Sequence, residues 1–192
     1  MNNEKRDFDS AAASWDENPN RVRLARDVAA AIKEQVAITS AMNVADFGCG
    51  TGLLSLQLQP LVHSLTGIDS SQGMLDVLQE KISRLQLANV HTQLVDLDRG
   101  DVLPGSYDLI VSNMTLHHIE NVAPLLREFH RVLTPGGTLC ITDLDLDGGL
   151  FHEDNTGVFH FGFDRQDLRK AFAEAGFADI RDTTATEIVK PG

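Results

Sequence analysis

Five short apolar runs, Asn43 to Phe47, Ser64 to Ile68, Val90 to Val95, Tyr107 to Ser112 and Thr138 to Thr142, alternate along this chain with segments of helical spacing. That alternation admits few folds. Runs this short and this continuously apolar suit strands buried on both faces, and helices inserted between successive strands force those strands to lie parallel. The helical segments are Gly52 to Gln59, Gln72 to Leu87 and Asn121 to Leu133, the last stopped by Pro135-Gly136-Gly137. Ahead of them, Asn18-Pro19 reads as a cap and first helical position, and Leu24, Val28, Ile32 and Val36 recur at the spacing of one buried helix face. A last helix opens at Asp164, turns Leu168, Ala171, Phe172 and Ala175 inward, and stops at Gly176, after which Phe177 to Val189 reads as a sixth strand. The expected fold is α/β, a doubly wound and mostly parallel sheet of Rossmann-like type. With 192 residues, it fills a single domain spanning 1–192.

Composition removes several classes of function. No apolar run approaches the ~18 residues that span a bilayer, and Met1 to Ser10 is polar and acidic, unlike a secretory signal. The expectation is a cytoplasmic protein with no membrane partner. A formal net charge of −12 repels phosphate backbones, so nucleic acid is not an expected substrate. Cys49 and Cys140 each fall inside a buried element, which suggests neither a disulfide framework nor a zinc cluster.

The chemistry concentrates where the first strand gives way to the next helix, at Asp46-Phe47-Gly48-Cys49-Gly50-Thr51-Gly52. Glycines at alternate positions let the backbone turn sharply and bring a ligand against bare main chain. Asp69 closes the second run, where a carboxylate accepts hydrogen bonds from both hydroxyls of a ribose. A dinucleotide fingerprint would need a third glycine five positions after the first, and that position is Leu53. An acidic Asp46 repels pyrophosphate but suits an amino group and a sulfonium charge. The residues therefore favour S-adenosylmethionine (SAM) over NAD.

In these motifs the chain resembles the class I SAM-dependent methyltransferases, in particular the small-molecule group called type 11 or UbiE-like, over roughly its whole length. The resemblance implies that Val44 to Gly52 is the main cofactor motif, with Asp46, Gly48, Gly50, Thr51 and Gly52 around the methionine part of SAM. It makes Asp69 the ribose acid, puts Ser70 and Met74 beside the adenine, and puts Asp96 and Leu97 on the adenine edge. Ser112 to Ile119, including Asn113 and Met114, matches the motif after strand four that lines the cofactor and opens towards the acceptor. Phe8-Asp9 and Ser14-Trp15-Asp16 match an amino-terminal segment that folds over SAM, so residues 1–40 form a helical lid with Trp15 against the cofactor. The alternative for Phe8 and Trp15 is that they anchor the leading helix to the core. The implied activity moves a methyl group from SAM to a small-molecule acceptor, leaving S-adenosylhomocysteine. A SAM-binding protein without turnover and an NAD-dependent oxidoreductase are the alternatives.

The remaining polar residues leave the acceptor side open. His117 and His118 invite a metal or general-base reading, but adjacent residues at a strand end point to opposite sides, so no metal site is expected. His118, Asp143 and His160 are the candidates to take an acceptor proton. Asp143-Leu144-Asp145-Leu146-Asp147-Gly148 has the spacing of a calcium loop, yet it follows a strand rather than a helix, so Asp143 is expected at the pocket rim and the other acids in solvent. The stretch 148–163, rich in glycine, histidine and phenylalanine, either roofs the acceptor site or seals the end of the sheet. The family's seventh strand, inserted between the fifth and sixth, has no counterpart before the chain ends at Lys190-Pro191-Gly192. Unbridged strands invite pairing with another chain, so a homodimer is one expected consequence.

Overall fold

The computed structural model describes residues 6–188. After the short helix α1 (Phe8–Ala11) and a 3-10 stretch, Ala12–Glu17, the helix α2 (Pro19–Gln35) begins at Asn18, whose side chain accepts from the Asn20 amide. The alternating part then runs β1 (Asn43–Phe47), α3 (Ser55–Leu58), β2 (Ser64–Asp69), α4 (Gln72–Leu85), β3 (Val90–Leu94), β4 (Tyr107–Asn113), α5 (Val122–Val132), β5 (Leu133–Thr142) and α6 (Arg165–Glu174).

The five strands form one parallel sheet in the order β3-β2-β1-β4-β5. Chain order reverses between β1 and β4, and a crevice opens there at the carboxyl ends of the strands, where ligands bind in doubly wound sheets. Apolar side chains cover both faces. On one, Ala45, Phe47, Ile68 and Ile110 meet Leu125, Leu126 and Phe129 of α5; on the other, Val44, Leu65, Leu109 and Val111 meet Val28, Ala29 and Ile32 of α2. Burying one such aliphatic or aromatic side chain contributes about 1.5–3 kcal/mol, so this two-sided burial holds the strand ends in place.

Three expectations need correction. Residues 177–188 form no strand, and Val189 lies outside the described residues. Side chains tie this segment to α6 instead. Arg169 donates to the Ile180 carbonyl and pairs with Asp182, and Arg165 donates to Thr184. Its later part passes over to α2, with Ala185 packed against the α2-side core and Thr186 Oγ1 3.5 Å from Asp27 Oδ2. Second, the helix expected from Gly52 to Gln59 is only the short α3, because Gly50 and Gly52 hold positive φ of 53° and 83° and the turns between use up its start. Third, Pro135-Gly136-Gly137 lies within β5 as an irregularity: Leu133 pairs with Tyr107 and Thr138 with Leu109, so the residues between loop out opposite Asp108.

Candidate active site

The glycine loop leaves β1 at the crevice. Its first turn is fixed from β2, whose Ile68 carbonyl accepts the Gly48 and Cys49 amides at 2.8 and 3.1 Å. Gly48 has φ +72°, and a Cβ there would stand 2.1 Å from Thr115 Oγ1, so the post-β4 turn packs directly on its bare backbone. Asp69 ends β2 with both carboxylate oxygens on the loop region: Oδ2 accepts from Gly50 N at 2.8 Å and Oδ1 from Ser71 N at 2.9 Å. Burial raises its pKa, against the pull of those amides.

Asp46 lies buried beneath the loop and accepts from Ser55 Oγ at 2.6 Å. Burial pushes its carboxyl up to about 7, the Ser55 hydrogen bond opposes that shift, and the Asp69 charge adds to it. Across the crevice, Asn113 Oδ1 at the end of β4 is buried and accepts from nothing, alone among the buried side-chain polar atoms of the described residues. Asp46 and Asn113 line one cavity of about 110 Å³ with Trp15, Arg21, Gly48, Gly50, Thr51 and Met114. A second, of about 350 Å³, lies beyond Asp69 between Arg6, Phe8, Asp9, Ser70, Ser71, Asp96 and Arg99.

The amino-terminal segment is fastened to the glycine loop and to α4. Asp9 Oδ1 accepts from Ser71 Oγ at 2.5 Å and Gly73 N at 2.8 Å, fixing α1 to the start of α4. Thr51 Oγ1 donates to Asp16 at 2.6 Å, and Lys81 pairs with Asp16 while donating to the Thr51 carbonyl at 2.7 Å. One face of Trp15 carries the Arg21 guanidinium, 3.7 Å from the ring centroid. Phe8 meets both Trp15 and His118 edge to face.

The residues expected around the cofactor thus separate. Trp15, Asp46, Gly48, Gly50, Thr51, Asn113 and Met114 line the first cavity and Ser70 and Asp96 the second, while Asp69, lining neither, accepts from Gly50 of the first and Ser71 of the second. Three more line neither. Gly52 backs onto Leu78, Met74 is buried with its sulfur beneath Gly50, and Leu97 packs on the α5-side core.

The acceptor side differs more from expectation. Met114 adopts a left-handed conformation, φ 57°, and the chain turns into a 3-10 stretch, Leu116–His118, instead of continuing as a strand. His117 and His118 therefore do not point apart: their ring centroids are 4.1 Å apart. Asp143 accepts from His117 Nδ1 at 2.7 Å, from Leu116 N at 2.9 Å and from Leu144 N at 2.8 Å, which engages both of its carboxylate oxygens. Of its neighbours, Asp145 pairs with Arg165 and Asp147 accepts from the Gly149 and Phe151 amides. His118 Nδ1 donates to the Gly157 carbonyl at 2.7 Å; burial first, then the adjoining His117, lower its pKa to about 4. His160 donates to the Ile119 carbonyl at 2.9 Å and rests on Phe163, which makes it a fastening of the 148–163 loop. The same loop touches the turn again through His152, whose Nε2 is 3.1 Å from His117 Nε2. Sequence reasoning named His152 only as a histidine of the loop that either roofs the acceptor site or seals the sheet's end, and it left out His117 as the partner of Asp143, Arg21 and the Asp16–Lys81 pair.

Among the described residues, no helix is long and apolar enough to cross a membrane. The family model described as a methyltransferase domain matches residues 45–141, half of the chain. An uncharacterized methyltransferase of Schizosaccharomyces pombe is 33% identical over 155 residues, covering 73% of this chain and 55% of its own length. A malonyl-[acyl-carrier protein] O-methyltransferase of Bacillus cereus is 30% identical over 135 residues, 69% of this chain and 49% of its own. The chain thus spans about half the length of these relatives. Among solved structures, phosphoethanolamine N-methyltransferase 2 of Haemonchus contortus in complex with SAM superposes with a TM-score of 0.68 at 23% identity, over 79% of this chain and 36% of that one. Sheet order, glycine loop and the matched segment agree, and the chain belongs to the class I SAM-dependent methyltransferases.

Proposed function

We propose that this chain transfers a methyl group from SAM to a small-molecule acceptor that enters between the His117–His118 turn and the 148–163 loop. The observation that carries the reading is the pairing of two acceptors in one cavity, the buried Asp46 carboxyl and the partnerless Asn113 Oδ1. A buried acceptor without a donor costs about 1–3 kcal/mol, and an amino-acid ammonium offers donors to both. Asp69 would hold the ribose: each of its oxygens has accepted one amide and retains capacity for a hydroxyl. Ser70 and Asp96 would border the adenine in the larger cavity. Bound there, SAM supplies a methyl carbon activated by its sulfonium.

What the chain adds is alignment, exclusion of water and a proton acceptor. Phe8 and Trp15 close the crevice against solvent, which strengthens every electrostatic contact inside. His117, with Nδ1–H directed to Asp143, turns the lone pair of Nε2 to His152 Nε2 at 3.1 Å, and on displacement of His152 would take the acceptor's proton there.

Titration calorimetry of the purified chain tests the cofactor. SAM and S-adenosylhomocysteine should bind, NAD should not, and Asp69→Ala should weaken both adenosyl ligands at least about tenfold, given the two charged hydrogen bonds it removes. Failure of a folded protein to bind either adenosyl ligand would remove the reading. For the base, S-adenosylhomocysteine formation is measured over a panel of small hydroxyl, thiol, amine and carboxylate acceptors. His117→Gln should lower turnover by about 10²–10⁴ while leaving SAM affinity intact. Unchanged turnover would leave alignment alone as the chain's contribution.

A further inference from the structure

The histidines over the acceptor side form a cluster of which the proposed proton transfer uses only His117 Nε2, and an ion bound there would take that lone pair out of the proton-accepting role. One ring nitrogen from each of His117, His118 and His152 lies within 4.8 Å of the other two. Two are already at 3.1 Å, His117 Nε2 and His152 Nε2. We propose that these three imidazoles bind one divalent transition-metal ion of the kind typified by Zn2+ and Co2+.

The donor set selects the ion. Neutral imidazoles suit zinc and its transition-metal neighbours, whereas Ca2+ and Mg2+ take oxygen ligands. With metal–nitrogen bonds of about 2.0–2.1 Å, tetrahedral ligation brings nitrogens to roughly 3.4 Å of one another. The His117–His152 pair, at 3.1 Å, is already close to that spacing, and a ring nitrogen of His118 lies within 4.8 Å of both.

The outer contacts are those that metal-bound histidines make. A ligating imidazole usually gives its other N–H to a carboxylate or a backbone carbonyl, fixing tautomer and orientation. His117 gives Nδ1–H to Asp143 and His118 gives Nδ1–H to the Gly157 carbonyl, so both direct Nε2 towards the cluster. His152 differs, because Arg6 lies 3.4 Å from its Nδ1. A guanidinium can only donate, and ligation through Nε2 puts a proton on Nδ1, so metal binding displaces this long contact. The protein's net charge of −12 attracts the cation from solution. His152 comes from the loop after β5 and the other two from the turn after β4, so an ion would bind the roof of the acceptor side to its floor.

The inference goes beyond methyl transfer and does not depend on it, so it is tested with metal alone. The full chain, free of any histidine tag and stripped with chelator, is titrated with Co2+ and followed by visible absorption. One equivalent should develop the intense ligand-field bands of low-coordinate cobalt, and Zn2+ should abolish them. His152→Ala should weaken Co2+ binding at least about tenfold, and Asp143→Asn by about 10- to 100-fold through loss of the outer hydrogen bond. The exposed histidines His63 and His91 serve as controls, and their alanine variants should bind as the parent does. Circular dichroism establishes that each variant folds; if His152→Ala does not, His118→Gln is read in its place. Absence of the bands, six-coordinate aquo-type spectra only, or binding that survives loss of His152 or His118 would each overturn the proposal.

Discussion

The residue whose environment is least ordinary is Asp46. A carboxyl pushed up to about 7 by burial is largely protonated below neutrality and ionised above it. An ammonium bound against it stabilises the carboxylate, so SAM affinity should rise as pH increases from about 6 to about 8, with proton release on binding across that window. Calorimetry in two buffers of different ionisation enthalpy reads the released proton directly. Affinity and heat independent of buffer and pH would show that Asp46 does not face the cofactor's charge. Asp46, Asp69 and Asn113 were legible from sequence because strand ends in a doubly wound sheet fix which residues reach the crevice. The convergence of the His117 and His118 rings was not, since the left-handed Met114 converts a strand end into a 3-10 turn and nothing local to methionine announces φ 57°. His152 was out of reach for a different reason: it meets His117 across 35 positions, a contact made by folding alone.

At the scale of elements, α1 is too short to persist by itself, because a single helical turn does not recover the entropy of nucleation. Its order comes from Asp9, which accepts from Ser71 and Gly73 at the start of α4. Asp9→Ala removes both bonds, worth on the order of 1–2 kcal/mol together, and should speed amide exchange through Phe8–Glu17 roughly tenfold with β1–β5 unaffected. Unchanged exchange would assign the docking to Asp16, Thr51 and Lys81. The segment 177–188 shows the limit of reading elements from composition. Its threonines and Ile180 favour a strand, yet a strand needs ladder partners, and Arg165 and Arg169 engage its carbonyl and side-chain oxygens along α6 first. The five real strands were legible because each is buried on both faces, where pattern and structure are the same fact.

For the molecule as a whole, the sheet reversal between β1 and β4 gathers the glycine loop, Asp69 and the post-β4 turn at one edge. The two halves of the site touch there through Gly48 and Thr115. Replacing Gly48 meets two separate obstacles, a left-handed backbone that disfavours any side chain and a neighbour standing where the first carbon would go. Trimming Thr115 would lift only the second. Position 48 is thus barred to substitution twice over, and no single compensating change elsewhere in the chain reopens it.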